Sequence, residues 1–165
     1  MTHPAAWPVE RLLAACAIER TRRSGPGGQH RNKVETAVVI SHPPTGVRAE
    51  ASERRSQAEN LAQATQRLRV RLALDVRTVP GETPTPLWTS RTAGRTLSVS
   101  SDHEDFPAML AEALDALAAA AWVPAAAGEA MGVSASQFVK FLKVEPAALQ
   151  LVNGRRRKAG LPALR

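Results

Sequence analysis

The chain has 165 residues and a mass of 17.7 kDa, and 44% of its residues are hydrophobic. This length suits one domain, or one compact module with a smaller appendage, and it excludes a large multidomain machine. The 22 Lys and Arg residues exceed the 15 Asp and Glu residues, giving a formal net charge of +7 that favours nucleic acid as a partner. One cysteine excludes an intrachain disulfide, and the sequence predicts no metal site and no cofactor.

The sequence predicts neither a membrane span nor a targeting segment. No run of 18 apolar residues is present, and Pro124 interrupts the Ala-rich stretch at 118–127. The first ten residues, MTHPAAWPVE, lack a basic leader followed by an apolar stretch, so we expect a cytoplasmic protein. The charge is uneven, with a net +6 in residues 1–77, a net −3 in residues 78–144 and a basic C-terminal tip.

The first half of the chain is predicted to form a strand, then a hairpin of two strands, then a helix. Alternation predicts a strand over 14–21, and the glycines of 24–28 (SGPGG) predict a loop after it. Strands over 37–42 and 47–51 flank the turn residues of 43–46 (PPTG). Ser56 and Glu59 have the spacing of a capping box, and apolar residues then recur at helical intervals to predict a helix over 56–74.

The second half of the chain is predicted to be mostly helical. Residues 78–94 hold three prolines and two glycines, a composition that favours neither a helix nor a central strand and predicts a linker. Beyond it we expect a strand over 96–100, a helix capped by Asp105, a helix opened by Ser134 and a last helix with Pro146 in its first turn, ending near Gly160. The face predicted for the Asp105 helix comprises Phe106, Leu110, Ala113, Leu117 and Ala121. The predicted units are 1–77, the linker 78–94 and an appendage over 95–165.

Residues 23–33 read RSGPGGQHRNK, and three further short segments with distinctive residues follow them in the sequence. These blocks are the strand 34–42, the turn Pro44-Thr45-Gly46, and Arg55-Ser56-Gln57 with Asn60. Together they make residues 14–74 resemble the catalytic domain of class I peptide chain release factors and their short, ribosome-rescuing relatives. The resemblance implies an α+β fold with a small antiparallel or mixed sheet and a packed helix, followed here by a helical C-terminal appendage.

The resemblance implies that Gly27, Gly28 and Gln29 are catalytic and that the substrate is the peptidyl-tRNA ester on the ribosome. Glycines allow close approach of the backbone, and Gln29 offers a backbone N–H to a developing oxyanion and a neutral side-chain amide to orient or exclude water. An amide is no general base, so the proton acceptor lies elsewhere; the resemblance places it on the tRNA or the ribosome. It also implies a glutamine methyltransferase as a candidate partner acting on Gln29, and we expect a monomer.

Basic residues beside the loop and at the C-terminal tip form the predicted RNA-binding set. Five positive charges occur within residues 20–33 with no acid between them, a pattern that suits RNA phosphates. Family members often carry an apolar residue where Arg31 stands. The tip has a second interpretation, in which Phe138, Phe141, Leu142, Leu149 and Val152 form a small core and the charges only complement a helix dipole. The predicted set is Arg20, Arg22, Arg23, His30, Arg31, Asn32, Lys33, Arg155, Arg156, Arg157 and Lys158.

Two functions compete at this point. The first is a hydrolase that releases the peptide from stalled ribosomes without reading a codon, since no segment between Leu74 and Arg165 resembles a codon-reading domain. The alternative is a non-catalytic ribosome-binding or RNA-binding protein whose helical C-terminal half binds nucleic acid. The intact Gly-Gly-Gln favours the hydrolase, because a binding protein has no physical need for that tripeptide.

Overall fold

Within the residues that the structure describes, 2–21 and 36–165, a three-stranded sheet, a two-stranded ribbon and seven α-helices are present. The structure is a computed structural model. The strands are β1 Ala17–Thr21, β2 Ala37–His42, β3 Val47–Ala51, β4 Thr92–Ala93 and β5 Thr96–Leu97. The helices are α1 Val9–Ala14, α2 Gln57–Asp75, α3 Pro86–Ser90, α4 Phe106–Ala119, α5 Pro124–Ala130, α6 Ala135–Leu142 and α7 Pro146–Lys158. The predicted α+β fold is confirmed.

The larger sheet is antiparallel with the strand order β1-β2-β3. The strands β2 and β3 have the predicted bounds, and Gly46 adopts the left-handed backbone conformation (φ 71°) that their turn requires. Along β3, Val47, Ala49 and Ala51 are buried while Arg48 and Glu50 are exposed, which is the alternation of a strand with one covered face. The predicted hairpin is therefore confirmed.

Helix α2 covers that face of the sheet. The Ser56 hydroxyl accepts a hydrogen bond from the Glu59 N–H at 3.4 Å, so the helix begins where its predicted cap lies. Ala64, Leu68 and Leu72 are fully buried in a core shared with β2 and β3. Helix α4 and the N-terminal residues pack on α2 as well, so α2 lies between the sheet and the remaining helices.

The N-terminal segment differs from its prediction. Helix α1 runs to Ala14, and β1 begins at Ala17 instead of residue 14. Before α1, a 3₁₀ turn at Pro4–Ala6 packs against α2 and α4. The carbonyl of the fully buried Ala5 accepts a hydrogen bond from Arg69 Nε of α2 at 3.0 Å, which fixes this turn to the long helix.

The segment 78–94 contains a helix that its composition did not predict. Pro86 occupies the first turn of α3, and the Thr85 side chain caps the helix by accepting from the Trp88 N–H. Trp88 is fully buried and its Nε1 donates to the Met131 carbonyl at 2.9 Å, so tertiary burial stabilises a helix of only five residues. Strand β5 is also shorter than the predicted 96–100. The predicted domain boundaries at residues 77 and 95 stay a prediction.

Two features of α4 correct the prediction for that helix. Asp105 occupies the N-cap position, but its carboxylate pairs with Arg91 at 2.5 Å and makes no side-chain cap bond. The helix ends at Ala119, so Ala121 does not continue its apolar face. Instead the Trp122 N–H bonds to the Leu117 carbonyl (2.8 Å) and Ala121 has a positive φ of 51°, which is the geometry of a Schellman C-cap with alanine where glycine is usual.

The last helices follow their predictions more closely. The Ser134 hydroxyl accepts from the Gln137 N–H at 3.2 Å, as expected of the residue that opens α6. Helix α7 begins at Pro146 and ends at Lys158, two residues before Gly160. Over residues 2–21 and 36–165, no single helix is long and apolar enough to cross a membrane; α4 and α5 pass that test only as a pair bent by 119°.

Two histidines are buried as neutral side chains. His3 Nδ1 accepts from the Ala5 N–H at 3.0 Å while Nε2 lies 3.1 Å from the Val76 carbonyl, an arrangement that uses both nitrogens of the neutral ring. His42 ends β2, contacts the Trp7 ring and lies with Nδ1 2.8 Å from the Thr45 hydroxyl, while its buried Nε2 has no hydrogen-bond partner among the described residues. Burial lowers the pKa of both His3 and His42.

These lowered pKa values predict a loss of stability in mild acid. In mild acid, His3 and His42 bind protons more readily in the unfolded chain than in the folded chain. The free energy of unfolding therefore falls as the pH falls from 7.5 to 5.5. The slope has an upper limit of about 1.4 kcal/mol per pH unit for each histidine. Urea titrations at four pH values measure it. The variant His42→Asn removes one of the two groups and lowers the slope, whereas an unchanged slope would contradict the assignment.

Candidate active site

The predicted catalytic segment joins β1 to β2 at one end of the sheet. Thr21, the last residue of β1, pairs directly with Ala37, the first residue of β2. These two strand ends, between which segment 22–35 and Thr36 run in the sequence, therefore lie at the separation of neighbouring strands, roughly 5 Å. The predicted residues within it, Gly27, Gly28, Gln29, Arg22, Arg23, His30, Arg31, Asn32 and Lys33, lie outside the described residues.

Asn60 fixes Thr36, the residue that precedes β2. Its Nδ2 donates to the Thr36 carbonyl at 2.6 Å and to the Arg54 carbonyl at 3.0 Å, while its Oδ1 accepts from the Arg54 N–H at 2.9 Å. The side chain is fully buried, and these three bonds use both of its N–H donors and its oxygen. Asn60 therefore ties the residue before β2, the connection from β3 and the first turn of α2 into one unit.

The local sequence explains why the Asn60 side chain reaches Thr36. Ser56 caps α2, so Asn60 is the fourth helical residue, and the buried residues Ala64, Leu68 and Leu72 continue down the same side of the helix toward the sheet. The sequence identifies Asn60 as part of a family block without assigning a contact to it. A polar residue in line with an apolar helical stripe is the signal that points to its burial.

Arg20 is the one predicted RNA-binding residue near the loop that the structure describes. It lies on β1, the edge strand of the sheet, one residue before the end of that strand, and its side chain is exposed. Within 2–21 and 36–165 no ion pair involves Arg20. Its charge is therefore available to a phosphate at the end of the sheet where segment 22–35 begins.

The four basic residues at the end of α7 differ from one another. Arg155, Arg157 and Lys158 are exposed, and the Arg155 guanidinium lies 5.9 Å from the centre of the Trp122 ring. Arg156 is only 7% exposed: its Nε donates to the Pro162 carbonyl at 2.8 Å, and its Nη1 donates to the Trp122 carbonyl. Arg156 is thus used inside the fold, which corrects its place in the predicted RNA-contacting set.

Thr36 and the basic end of α7 lie at opposite ends of α2. Thr36 is bonded to Asn60 at the N-terminal end of α2, whereas Arg155 and Lys158 line a shallow cavity with Leu74 and Asp75 at the C-terminal end. A helix of 19 residues is about 28 Å long, so α2 separates Thr36 from these cations by that order of distance.

The packing expected of the C-terminal module is present beside these charges. Phe138, Phe141, Leu142 and Val152 are buried, while Leu149 is only partly buried. The rings of Phe141 and Trp88 lie 5.6 Å apart at a steep angle, and Phe141 also contacts Phe106. These side chains belong to a core that is continuous with the buried residues of α2 and the sheet. A packing role for α7 and an RNA-contacting role for its exposed cations are therefore compatible.

Comparison with known proteins assigns the region that contains this site to a family. Residues 13–92 match the family model of the RF-1 domain. This region belongs to the GGQ domain family of class I peptide chain release factors. The matched residues include β1 to β3, α2 and the whole of segment 22–35.

Individual relatives give the same assignment over a short stretch. The chain is 53% identical over 64 residues to peptide chain release factor 1 of Acidiphilium cryptum, covering 39% of this chain and 18% of the relative. It is 49% identical over 57 residues to peptide chain release factor 2 of Paramagnetospirillum magneticum, covering 34% and 15%. For the chloroplastic release factor PrfB1 of Arabidopsis thaliana the identity is 53% over 55 residues, covering 33% and 12%. The chain thus spans less than a fifth of each of these relatives.

The Asn60 contacts lead to a prediction for Asn60→Asp. A carboxylate at this position loses two N–H donors and faces the Thr36 and Arg54 carbonyls, so the free energy of unfolding falls by about 1–3 kcal/mol. Gln63→Glu makes the same chemical change at an exposed position of α2 and serves as the control. Urea denaturation at pH 7 measures both variants, and equal midpoints would show that Asn60 is not a structural tie.

The division of the α7 cluster leads to a second prediction. Arg156→Gln leaves two carbonyl oxygens without their donors and lowers the free energy of unfolding by about 1–3 kcal/mol. Arg157→Gln removes the same charge from an exposed neighbour and changes it by less than about 0.5 kcal/mol. Thermal and urea denaturation compare the pair. Equal stability of the two variants would contradict the internal role of Arg156.

Proposed function

We propose that the chain hydrolyses the peptidyl-tRNA ester on the ribosome without reading a codon, as a rescue factor for stalled ribosomes. The observation that carries this proposal is Gly27-Gly28-Gln29 in the sequence between β1 and β2, whose residues Thr21 and Ala37 pair and whose preceding residue Thr36 is bonded to Asn60 of α2. Membership of the GGQ domain family supports the same reaction.

In this proposal the protein supplies positioning and a hydrogen-bond donor. Gly27 and Gly28 let the backbone approach the ester, and the Gln29 N–H donates to the oxyanion that forms when water attacks the ester carbonyl. The Gln29 amide orients or excludes water but takes no proton, so the acceptor belongs to the tRNA or the ribosome. Gln29 is also the site at which a glutamine methyltransferase acts in this proposal.

The described cations support binding to RNA at two places. Arg20 lies beside the start of the catalytic segment, where Arg22, Arg23, His30, Arg31, Asn32 and Lys33 follow in the sequence. Arg155, Arg157 and Lys158 are exposed at the other end of α2. We assign the first group to RNA around the catalytic centre and the second to ribosomal or transfer RNA about one helix length away. The protein acts on cytoplasmic ribosomes as a monomer.

Codon independence rests on the second half of the chain. The family match ends at residue 92, and the residues beyond it form α4 to α7, which share a core with α2. No segment between Leu74 and Arg165 resembles a codon-reading domain. Release is therefore proposed to depend on the state of the ribosome and not on the codon in its decoding site.

A peptide-release assay tests the proposal. Purified protein is added to ribosomes programmed with stop, sense or truncated mRNA, and release is expected at rates that do not depend on a stop codon. Gly28→Ala and Gln29→Ala are expected to lower the rate by about 100- to 1,000-fold with little change in the melting temperature, because their role is chemical.

Two variants at exposed positions control for the substitutions themselves. Gly81→Ala adds a methyl group that meets nothing within 4 Å, and Gln63→Ala shortens an exposed side chain on α2. Both are expected to release peptide at the wild-type rate. Release at the wild-type rate by Gly28→Ala would overturn the mechanism, and much faster release on stop codons would overturn the rescue assignment. Ribosome binding without any release would favour the non-catalytic alternative.

A further inference from the structure

A groove with a basic rim lies in the C-terminal half of the chain. It is formed by the start of α5, by α6 and by the residues that follow α7, and it has a volume of about 610 Å³. Its floor is apolar, and Lys140, Lys143 and Arg165 stand among its described lining residues without any acidic side chain.

The fold holds both walls of this groove in place. Helix α6 buries Phe138, Phe141 and Leu142 in the core, so its opposite face, with partly buried Val139 and exposed Lys140, lines the groove. The other wall follows α7. There the Leu164 N–H donates to Asn153 Oδ1 at 2.7 Å, and Asn153 Nδ2 donates to the Leu164 carbonyl at 3.1 Å. The buried Arg156 holds the Pro162 carbonyl in the same way.

In the part of the chain that the structure describes, no acidic side chain lines the groove beside its cations. Lys140 and Lys143 lie three positions apart at the end of α6, a spacing at which like charges repel each other. No ion pair between 36 and 165 involves Lys140, Lys143 or Arg165. An anionic ligand would remove this repulsion, and the apolar floor beneath the cations favours a ligand that also carries apolar surface.

We propose that this groove binds single-stranded RNA, with phosphates at Lys140, Lys143 and Arg165 and with sugars and base edges on the apolar floor. A single strand presents phosphates and apolar surface together, whereas a duplex presents mainly phosphates to such a surface. The cations stand on two walls of the groove, Lys140 and Lys143 on α6 and Arg165 beyond α7, so a ligand that meets all of them must carry more than one negative charge. Among the described residues no aromatic ring lines the groove, so base stacking adds little and contacts to phosphates are expected to dominate the affinity.

The inference rests on the proposed function only for the source of the RNA, which would be a strand on the ribosome. Binding itself needs no ribosome and no catalytic turnover. The test therefore uses the full chain and a fluorescein-labelled oligouridylate about 12 nucleotides long, within the usual site size of single-strand-binding proteins. Fluorescence anisotropy measures its affinity over a range of salt concentrations.

The double variant Lys140→Gln with Lys143→Gln is expected to bind more weakly and to flatten the plot of log affinity against log salt. The slope is expected to fall by about 0.7 for each phosphate that the variant no longer neutralises. The control, Arg11→Gln with Arg48→Gln, removes the same charge from exposed positions in α1 and β3 and is expected to keep the wild-type slope.

A third variant separates binding from stability. Ala135→Glu places an acid at the exposed first residue of α6, where it lines the groove. A negative charge in the first turn of a helix favours the helix, so the melting temperature is expected to hold or rise. The same charge faces the RNA, so affinity for the oligouridylate is expected to fall.

Three outcomes would overturn the proposal: equal weakening by the lysine pair and the control pair, wild-type binding by Ala135→Glu, or displacement of the RNA by polyglutamate of equal charge at lower concentration. The last would identify an acidic peptide as the occupant. Failure of peptide release together with lysine-dependent RNA binding would remove the proposed hydrolase and leave the groove assignment standing.

Discussion

The burial of α2 between two sets of neighbours is the constraint on which the remaining structure depends. The helix packs against β2 and β3 and also against α4 and the N-terminal turn. Arg69, on this helix, donates to the Ala5 carbonyl and to the Glu104 carbonyl and so joins two distant segments. The first turn of α2 holds Thr36, the residue before β2, through Asn60. A shift of this helix would therefore move Thr36, the sheet and the N-terminal turn together.

Secondary-structure elements that nearby residues stabilise could be predicted from the sequence, and elements that depend on residues far along the chain could not. The hairpin and α2 have the predicted bounds to within a residue because turn residues, alternation and the Ser56 cap act over a few positions. Helix α3 could not be predicted because the burial of Trp88 against Met131 stabilises it. Asp105 does not cap α4 because Arg91 takes its carboxylate. At the site, the catalytic role of Gly27, Gly28 and Gln29 stays a prediction from the motif, and the role of Asn60 became clear only from its contacts.

Formal charge exaggerates how much of this surface is available to RNA. Arg69 and Arg156 are buried and donate to backbone carbonyls, and Arg77 pairs with the buried Asp115 at 3.2 Å. Burial lowers the pKa of Arg69 and of Arg77, with the nearby carboxylates acting in the opposite direction. At the surface the ion pair acts on the acid: the hydrogen bond from Arg67 lowers the pKa of the half-exposed Glu53 to about 2.

The position of an arginine on its helix decides whether its charge faces solvent. Arg69, for example, is buried because it follows the buried Thr65 by four residues and so lies on the same side of α2.

Helix α2 also sets a fixed distance within the molecule. It holds Thr36 at one end and the exposed cations Arg155 and Lys158 of α7 at the other, at a separation of about 28 Å that neither end can change alone. Under the proposed function, two weak electrostatic contacts at this distance would reinforce each other only on a surface whose phosphates have the same spacing. Binding through charge alone would then depend on the shape of the RNA, because a partner with the wrong spacing engages one end of the molecule at a time.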